Sequence, residues 1–404
     1  MSSLKSHSVD EENTLFLTGA VKIPQKKTFY SRTSAAALFA IVVTVCLILA
    51  FSGKGFVNDT SDIDTAAISL AKSGKGSYSS LKGQEKSLLF KQFVAEYGRE
   101  YSSLEEEALK FKNFKKFLKL VDSRNAAEQL SDGSAVHGIT KFADYSEAEV
   151  KMMNGFVKSE VKYADFSAKA APASAKVDTK GKSSDTTTVD WRDVYTTTIK
   201  DQGYCGSCWA FSAVSQVESD SIRHGYTTTD DKLSEQQLVS CDDYDSGCDG
   251  GNPEYAYYYI YSTGGVETNA SYPYTSYWDD DGTCTSNSKK FVVSVTAFYT
   301  LSDEDAMMTH MKDTGPISVC VDASTWSSYT SGVVSTCGDS VDHCVQAVGL
   351  KYSNGDDDDK FDNYWIIRNS WGTDWGLSGY IYLKSGSNMC DITYLPTYVT
   401  PKTV

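Results

Sequence analysis

The sequence has few of the residues from which several kinds of functional site are built. Only five of its 404 residues are histidine, and nine of its ten cysteines lie in the second half. Cys205 and Cys208 form a C-x-x-C pair, but no second pair completes a zinc site, so we predict neither a metal nor a cofactor. Acidic residues outnumber basic ones by 53 to 38, which argues against a nucleic-acid-binding surface because such surfaces need clustered cations.

One uncharged apolar run, residues 35–51, lies near the N-terminus. It is short for a membrane span, and a cleaved signal peptide is the alternative. An uncleaved anchor is favoured because 34 residues precede the run and no small-x-small cleavage site follows it. Basic residues concentrate before the run, so residues 1–34 are predicted to be a cytosolic tail and the rest to be lumenal. Glycosylation sequons at Asn58 and Asn269 are consistent with that topology.

Composition and periodicity divide the rest of the chain. Residues 52–83 are rich in Ser, Gly, Ala and Asp without periodicity, which predicts a stalk. Apolar residues then recur at helical spacing within residues 84–157, at Leu89, Phe93 and Tyr97 and again at Leu104, Ala108, Phe111, Phe114, Leu118 and Val121. Residues 158–184 lose this periodicity and are predicted to be an exposed linker that holds a processing site. Residues 185–404 form the last predicted domain.

The stretch Gln202–Ser212, QGYCGSCWAFS, is the most informative part of the sequence. Its glycines permit a tight turn, and residues 209–221 contain no Gly or Pro and can form a helix. Cys208 would therefore lie at a helix N-terminus, where the dipole and the free amides favour the thiolate over the thiol. This pattern predicts a cysteine nucleophile.

The scarcity of histidine limits the candidates for a base that activates Cys208. His310 lies in a polar, Met-containing helical stretch and is predicted to be a surface residue. His343 begins an apolar run that predicts a buried strand, and it is the favoured base. His7 is excluded because it lies in the predicted cytosolic tail, and His137 because it lies in the N-terminal helical region. His224 is excluded because it lies too far from Cys208 along the same helix.

Asn369 follows a second strand-like run, and its amide could accept a hydrogen bond from the imidazole and fix the tautomer. Trp371 would shield that bond from water. The Gln202 side chain and the Cys208 backbone amide could supply the donors for a developing oxyanion.

These segments together resemble the papain-like cysteine peptidases, and in particular the cathepsin L-like zymogens. The Cys-Gly-Ser-Cys-Trp run is the local signature of that family, and His343 lies 135 residues after Cys208, inside the family's interval. The helical segment resembles the family's inhibitory propeptide. It matches part of a spaced motif on the long helix of that propeptide and all of a second motif that follows the helix. The matching positions are Glu106, Lys110, Phe114, Phe117, Val121 and Asn125, then Gly138, Thr140, Phe142 and Asp144.

The resemblance implies an α+β, papain-like two-lobe fold preceded by a helical inhibitory prodomain. One lobe is mainly helical behind Cys208, and the other is a β-barrel that carries His343 and Asn369. The implied activity is that of a cysteine endopeptidase, made as an inactive precursor, which acts on protein and peptide substrates through a thioester acyl-enzyme. Its own propeptide would be its intramolecular inhibitor. The lumen of a lysosome or vacuole, reached as a type II membrane precursor, is the expected location, and secretion is the alternative.

The resemblance also implies three disulfides and a specificity pocket. The disulfides are Cys205–Cys248, Cys241–Cys284 and Cys337–Cys390. Cys320 and Cys344 are left over beside the pocket for the substrate residue two before the scissile bond, and two free buried thiols are favoured over a fourth bridge. The other implied substrate-binding residues are Gly250, Gly251, Pro253, Val341, Asp342 and Leu395. Pro253, Val341 and Leu395 bring no carboxylate, so we expect the pocket to take an apolar or aromatic residue.

Three other functions are weighed against this one. A thiol–disulfide oxidoreductase would need Cys205 and Cys208 as a pair, but the implied bridge commits Cys205 elsewhere. A membrane-bound scaffold that binds other proteases and a peptide ligase on the same fold both stay open. Asp144 motivates a further hypothesis, in which acidification protonates carboxylates that hold the propeptide and so releases it.

Overall fold

The computed structural model describes residues 64–158 except 75 and 132, residues 166 and 168–170, and residues 186–353 and 363–404. The predicted cytosolic tail, the apolar run 35–51 and most of the predicted linker lie outside these described residues. Within them, no helix combines the length and the apolar character needed to cross a membrane.

Eight α-helices lie in the described parts of the chain. The first four precede the predicted peptidase domain: α1 Thr65–Lys72, α2 Gly83–Glu96, α3 Leu104–Leu130 and α4 Glu147–Met152. The other four lie within it: α5 Cys208–Arg223, α6 Glu235–Cys241, α7 Pro253–Thr263 and α8 Glu304–Asp313.

The described residues also form eleven strands in two sheets. The strands are β1 Val136–His137, β2 Lys169–Ala170, β3 Thr186–Asp190, β4 Val293–Thr300, β5 Ile317–Val321, β6 Tyr329–Ser331, β7 Val333–Val334, β8 His343–Ser353, β9 Tyr364–Arg368, β10 Tyr380–Lys384 and β11 Thr397–Thr403. The larger sheet has nine strands in the order β2-β4-β11-β5-β8-β9-β10-β7, with β3 paired to β8, and β1 and β6 form the smaller sheet.

Helices α2 and α3 form where the sequence predicts helical spacing, and they build the prodomain core. The Ser103 side chain caps α3 by accepting a hydrogen bond from the Glu106 amide. Phe114 on α3 is fully buried and packs against Phe90 and Phe93 of α2, with ring centroids 5.3 and 5.4 Å apart. Burial of these rings stabilises this small unit because it removes apolar surface from water.

The prodomain and the β-rich lobe share one hydrophobic core. Strand β1 of the prodomain pairs antiparallel with β6 of the peptidase domain. Phe142 of the prodomain packs edge-on against Trp371, with ring centroids 5.1 Å apart. The cluster of buried apolar side chains therefore continues from α2 and α3 into the sheet. The helical lobe has a separate core around α5 and α7. The fold predicted from the resemblance, two lobes preceded by a helical prodomain, is confirmed.

The described part of the predicted stalk is not an irregular spacer. Residues 65–72 form α1, and Ile68 and Ala71 on that helix are buried in the core shared with the prodomain. Tyr78 and Leu81 are buried there as well. The stalk prediction is wrong for these residues because their few apolar side chains are spaced to meet a neighbouring surface that the local composition does not reveal.

Two short described pieces of the predicted linker also contact the peptidase domain. Phe166 is buried and stacks on Tyr261, with ring centroids 4.5 Å apart, and also contacts Phe298. Strand β2 pairs in parallel with β4. An exposed linker is therefore the wrong description of Phe166, whereas residues 158, 168 and 169 are exposed. Most of residues 158–184 lie outside the described part.

His310 is buried, and the prediction that it is a surface residue is wrong. Its ring lies 4.2 Å from that of Tyr398 on β11, because one face of α8 packs against the sheet. Burial lowers the pKa of His310 to about 4, and the nearby Arg223 acts in the same direction. The residues next to His310 in the sequence are largely polar, so the sequence did not indicate that this face of the helix is buried.

Candidate active site

Cys208 is the first residue of α5 and is fully buried. Ser207, which precedes it, makes no side-chain capping bond, so the amides of the first turn are not satisfied by the cap. Cys208 is also the one cysteine without a disulfide among the described residues. The thiol thus lies where the sequence placed it, at a helix N-terminus.

His343 and Asn369 lie together on adjacent strands. His343 begins β8, and Asn369 directly follows β9, which pairs with β8. The ring Nε2 of His343 lies 2.8 Å from the Asn369 Oδ1. As an amide oxygen can only accept, this contact requires the proton on Nε2 and leaves Nδ1 as the ring's free base. Nδ1 has no hydrogen-bond partner among the described residues.

Trp371 covers this pair. Its ring centroid lies 5.0 Å from that of His343, and the side chain is 1% exposed. The indole therefore excludes water from the hydrogen bond between His343 and Asn369, which strengthens that bond.

Gln202 is held in place from two sides. Its Oε1 accepts from the Ser370 hydroxyl at 2.6 Å, and its Nε2 donates to the Cys205 carbonyl at 2.8 Å. The same Nε2 also donates to the carbonyl of Met153, a prodomain residue, at 2.8 Å. The Met153 carbonyl therefore occupies the Gln202 side-chain amide, the group that is predicted to donate to the oxyanion. Ser370 was not predicted, although it stands beside Asn369 in the sequence.

The prodomain crosses the cleft as an extended segment, in which Phe156 forms an isolated bridge with Gly251. Gly251 donates from its amide to the Gly155 carbonyl and accepts from the Val157 amide, both at 2.8 Å. From the opposite wall, the Asp342 carbonyl accepts from the Phe156 amide at 3.0 Å, and the Asp342 carboxylate accepts from the Asn154 side chain at 2.9 Å. These contacts leave no room for a substrate.

Burial in the zymogen disfavours the charged form of both reacting groups. It raises the pKa of the Cys208 thiol to about 12, although backbone groups of Cys344 and Gly155 that hydrogen-bond the thiol act in the opposite direction. It lowers the pKa of His343 to about 4, against the effect of the hydrogen bond to Asn369. A thiolate–imidazolium pair is therefore disfavoured while the prodomain is in place.

Of the predicted pocket residues, Gly250, Gly251 and Asp342 contact the prodomain segment that contains Phe156. Gly250 and Gly251 form one wall, and a Cβ on Gly250 would lie 2.6 Å from the Gly155 carbonyl oxygen. Phe156 packs edge-on against Tyr394, with ring centroids 5.8 Å apart. Leu395 is among the predicted pocket residues, whereas Tyr394, the ring next to it, is not. Pro253 is buried at the start of α7, and Val341 is half-buried just before His343.

Cys320 and Cys344 are joined by a disulfide, so the expectation of two free thiols is wrong. They are directly opposite residues on the paired strands β5 and β8, with Cα atoms 4.0 Å apart. Opposite residues on antiparallel strands are close enough for this bond. The structure also contains the three bridges that the resemblance implies: Cys205–Cys248, Cys241–Cys284 and Cys337–Cys390.

Comparison with known proteins identifies the class. Residues 186–400 match the model of the papain family cysteine proteases, so the chain belongs to that family. Residues 90–150 match the cathepsin propeptide inhibitor domain. The chain is therefore a cathepsin-like cysteine protease zymogen, with a propeptide that inhibits its own peptidase domain.

Relatives and solved structures agree with this class. The chain is 38% identical to cysteine proteinase 2 of Leishmania pifanoi, over 78% of this chain and 69% of that protein. It is 35% identical to digestive cysteine proteinase 1 of Homarus americanus, over 77% and 94%. The solved structure of digestive procathepsin L2 proteinase from the Tenebrio molitor larval midgut is similar, with a TM-score of 0.66, 28% identity, and coverage of 78% of this chain and 99% of that one.

Replacing Gly155 with Ala should loosen the prodomain in the cleft. A Cβ at this position would lie 1.7 Å from the Gly206 carbonyl oxygen, a backbone atom that cannot move away freely. At neutral pH, we expect Cys208 in the intact Gly155→Ala precursor to react with iodoacetamide roughly five- to a hundredfold faster than in the parent precursor.

Gly83→Ala is the matched control, because a Cβ at Gly83 would meet nothing within 4 Å. Its alkylation rate should equal that of the parent. Equal rates in all three precursors, with gel mobility confirming that none was processed, would show that Gly155 does not seal the cleft.

Proposed function

We propose that this chain is a cysteine endopeptidase in which Cys208 is the nucleophile, His343 its base, Asn369 the group that orients the base, and Gln202 an oxyanion donor. The observation that carries the proposal is the 2.8 Å contact between His343 Nε2 and Asn369 Oδ1, which leaves Nδ1 available as the base. The backbone of Cys344, the residue after His343, hydrogen-bonds the Cys208 thiol, so the nucleophile and the base lie at one site.

The chemistry follows from these positions once the prodomain has left. His343 takes the thiol proton, and the sulfur attacks the substrate carbonyl to form a tetrahedral oxyanion. The Gln202 amide and the Cys208 backbone N–H donate to that oxyanion, in the place of the Met153 carbonyl contact. The C–N bond breaks, the amine leaves with the proton from the imidazolium, and a thioester remains. Water, deprotonated by His343, then releases the acid and restores the thiol.

We also propose that the pocket beside Gly251 accepts an apolar or aromatic residue two before the scissile bond. The prodomain presents Phe156 there, between backbone contacts to Gly251 and Asp342 and against the ring of Tyr394. The Cys320–Cys344 bridge adds an apolar, fully buried group at the neighbouring strands. An arginine in such a site would lose its hydration without gaining a carboxylate partner.

The proposed catalytic roles and the proposed pocket preference can be tested together. The assay is hydrolysis of short fluorogenic peptides by the acid-processed lumenal protein. We expect Cys208→Ala to abolish activity and Gln202→Ala to lower kcat about 10²- to 10³-fold, because one oxyanion donor is lost. Substrates with Leu or Phe two before the cleaved bond should exceed those with Arg by about ten- to a hundredfold in kcat/KM.

Ser302→Ala, an exposed hydroxyl outside the cleft, is the control and should retain parental activity. Activity that survives in Cys208→Ala would refute the assigned nucleophile. A processed protein that joins peptides but does not hydrolyse them would support the ligase alternative.

Acid release of the propeptide is proposed to depend on Glu149 rather than on Asp144. Burial raises the pKa of Asp144 despite its contact with Arg99, so protonation of Asp144 as the pH falls would stabilise the docked state. Glu149 behaves in the opposite way. Burial opposes its ionisation, but hydrogen bonds from Lys110 and Ser146 outweigh burial and hold its pKa below the usual value. Its stabilising contribution is therefore lost as the pH falls below the ordinary glutamate range, about 4.3.

Glu149→Gln should process faster than the parent precursor at pH 5.5 to 6.5 and should depend less on acidification. The substitution removes the ion pair in which the Lys110 Nζ lies 2.5 Å from Glu149 Oε1. Because both side chains are partly exposed, we expect a gain of only a few-fold, measured as the rate of conversion on gels across pH.

Glu147→Gln is the control on the same helix, where the carboxylate is exposed. It should keep the parental pH profile. Faster neutral processing of Asp144→Asn, with Glu149→Gln unchanged, would reverse the assignment between the two carboxylates.

We infer from the sequence that the precursor is anchored by residues 35–51 and that its peptidase domain is lumenal. Four disulfides in the described residues support an oxidising compartment such as the secretory pathway and the lysosome or vacuole it supplies.

The full-length precursor should stay with membranes through an alkaline carbonate wash. The variant Leu38→Arg/Val43→Arg should be released, because charges in the run oppose insertion. Release of the parent chain by the same wash would exclude the anchor.

A further inference from the structure

Two carboxylates of the peptidase domain flank Trp371 at one end of the cleft. Asp201 forms a backbone bridge with Trp371. A Cβ on Gly372 would lie 2.8 Å from the Asp201 Oδ2 and 3.0 Å from the Asp374 Oδ1, so both carboxylates point toward the same small space. Their side chains keep 34% and 56% exposure even with the prodomain docked.

A lysine of the prodomain occupies that space. The Lys141 Nζ lies 3.2 Å from the Asp201 Oδ2 and 3.0 Å from the Asp374 Oδ1, and the lysine side chain is only 12% exposed. Among the described residues, these two carboxylates form no other ion pair. Removal of the propeptide therefore leaves two neighbouring negative charges without a cation.

The position of this pair relative to the reacting atoms defines what it can bind. Phe156 and Gly251 lie at the end of the cleft that takes the residue two before the scissile bond, in the function proposed above. Gln202 lies between that end and Trp371, since its amide contacts Met153 while its side-chain oxygen is bonded to Ser370. The Trp371 end is thus the side that receives residues after the scissile bond.

We propose that Asp201 and Asp374 form a subsite for a basic substrate residue on the leaving-group side of the scissile bond. Lys141 holds the place of that residue in the zymogen. A lysine or arginine there gains the attraction of two carboxylates, whereas a glutamate meets like charge from both. This inference rests on the proposed peptidase function and adds to it a preference that the pocket beside Gly251 does not provide.

The test uses the acid-processed enzyme and internally quenched peptides. All have Leu two before the scissile bond, and each carries Lys or Glu at the first, second or third position after it, with Ala elsewhere. At one of these positions, we expect Lys to exceed Glu in kcat/KM by about three- to tenfold at low salt, as for partly exposed ion pairs. The ratio should approach one near about 1 M salt, where the screening length is about 3 Å.

The ratio between the two peptides is the readout, because it is insensitive to a general change in activity. Asp201→Asn/Asp374→Asn should bring it near one, and Asp201→Asn/Asp374→Lys should favour Glu. Asp374→Asn alone serves if the double variant does not fold, since Asp201 also accepts a hydrogen bond from the Gly203 amide. Asp230→Asn, which removes one exposed charge elsewhere, should leave the ratio unchanged.

Two results would overturn the subsite: a Lys-to-Glu ratio near one at all three positions, or a ratio that Asp201→Asn/Asp374→Asn and Asp374→Asn leave intact. Either result is distinct from failure of the peptidase assignment. The fluorogenic peptides of the activity assay carry no amino acid after the scissile bond, so an enzyme without the subsite would still cleave them.

Discussion

The burial of helix α5 between the two lobes is the constraint on which the site depends. Every residue from Cys208 to Ser221 is buried, so the polar side chains of this helix need partners, although the Ser221 hydroxyl has none among the described residues. Ser212 donates to the Val345 carbonyl on β8, and Glu218 accepts from the Lys200 ammonium at 2.6 Å. An unpaired buried group costs about 1–3 kcal/mol, so these bonds set the helix in one position. Cys208 is thereby fixed against the strand that begins with His343.

The zymogen uses the same close packing to keep the site inactive. The extended prodomain segment passes so close to the Gly206 backbone, two residues before Cys208, that only a glycine fits at position 155. Its carbonyls and amides bond to Gly251 and Gln202, groups that are proposed to hold substrate later. Exclusion of water then shifts the pKa values of Cys208 and His343 away from the charged pair. The zymogen therefore has a filled cleft and two reacting groups whose charged forms are disfavoured.

The sequence predicted what depends on local pattern and residue type. Helix α5, the helical spacing of α2 and α3, and the strands before Asn369 and after His343 follow from periodicity and from the absence of Gly and Pro. It could not predict contacts between distant segments. The Cys320–Cys344 bridge depends on the register of β5 against β8, and the burial of His310 and Phe166 depends on surfaces supplied by β11 and by Tyr261. No local signal carries that information.

The contacts of the prodomain lie either within the prodomain or between it and the peptidase domain. Glu149 and Lys110 pair within the prodomain, and protonation weakens that pair. Arg124 and Glu128 instead meet neutral groups of the peptidase domain: Arg124 donates to the Ser328 hydroxyl at 2.7 Å, and Glu128 accepts from two neighbouring amides and their side-chain hydroxyls. The shared hydrophobic core and the β1–β6 pairing do not titrate at all. Carboxylates therefore contribute both to the internal stability of the prodomain and to its docking surface, where Lys141 lies between Asp201 and Asp374. The apolar core and the strand pairing hold the prodomain in place at any pH.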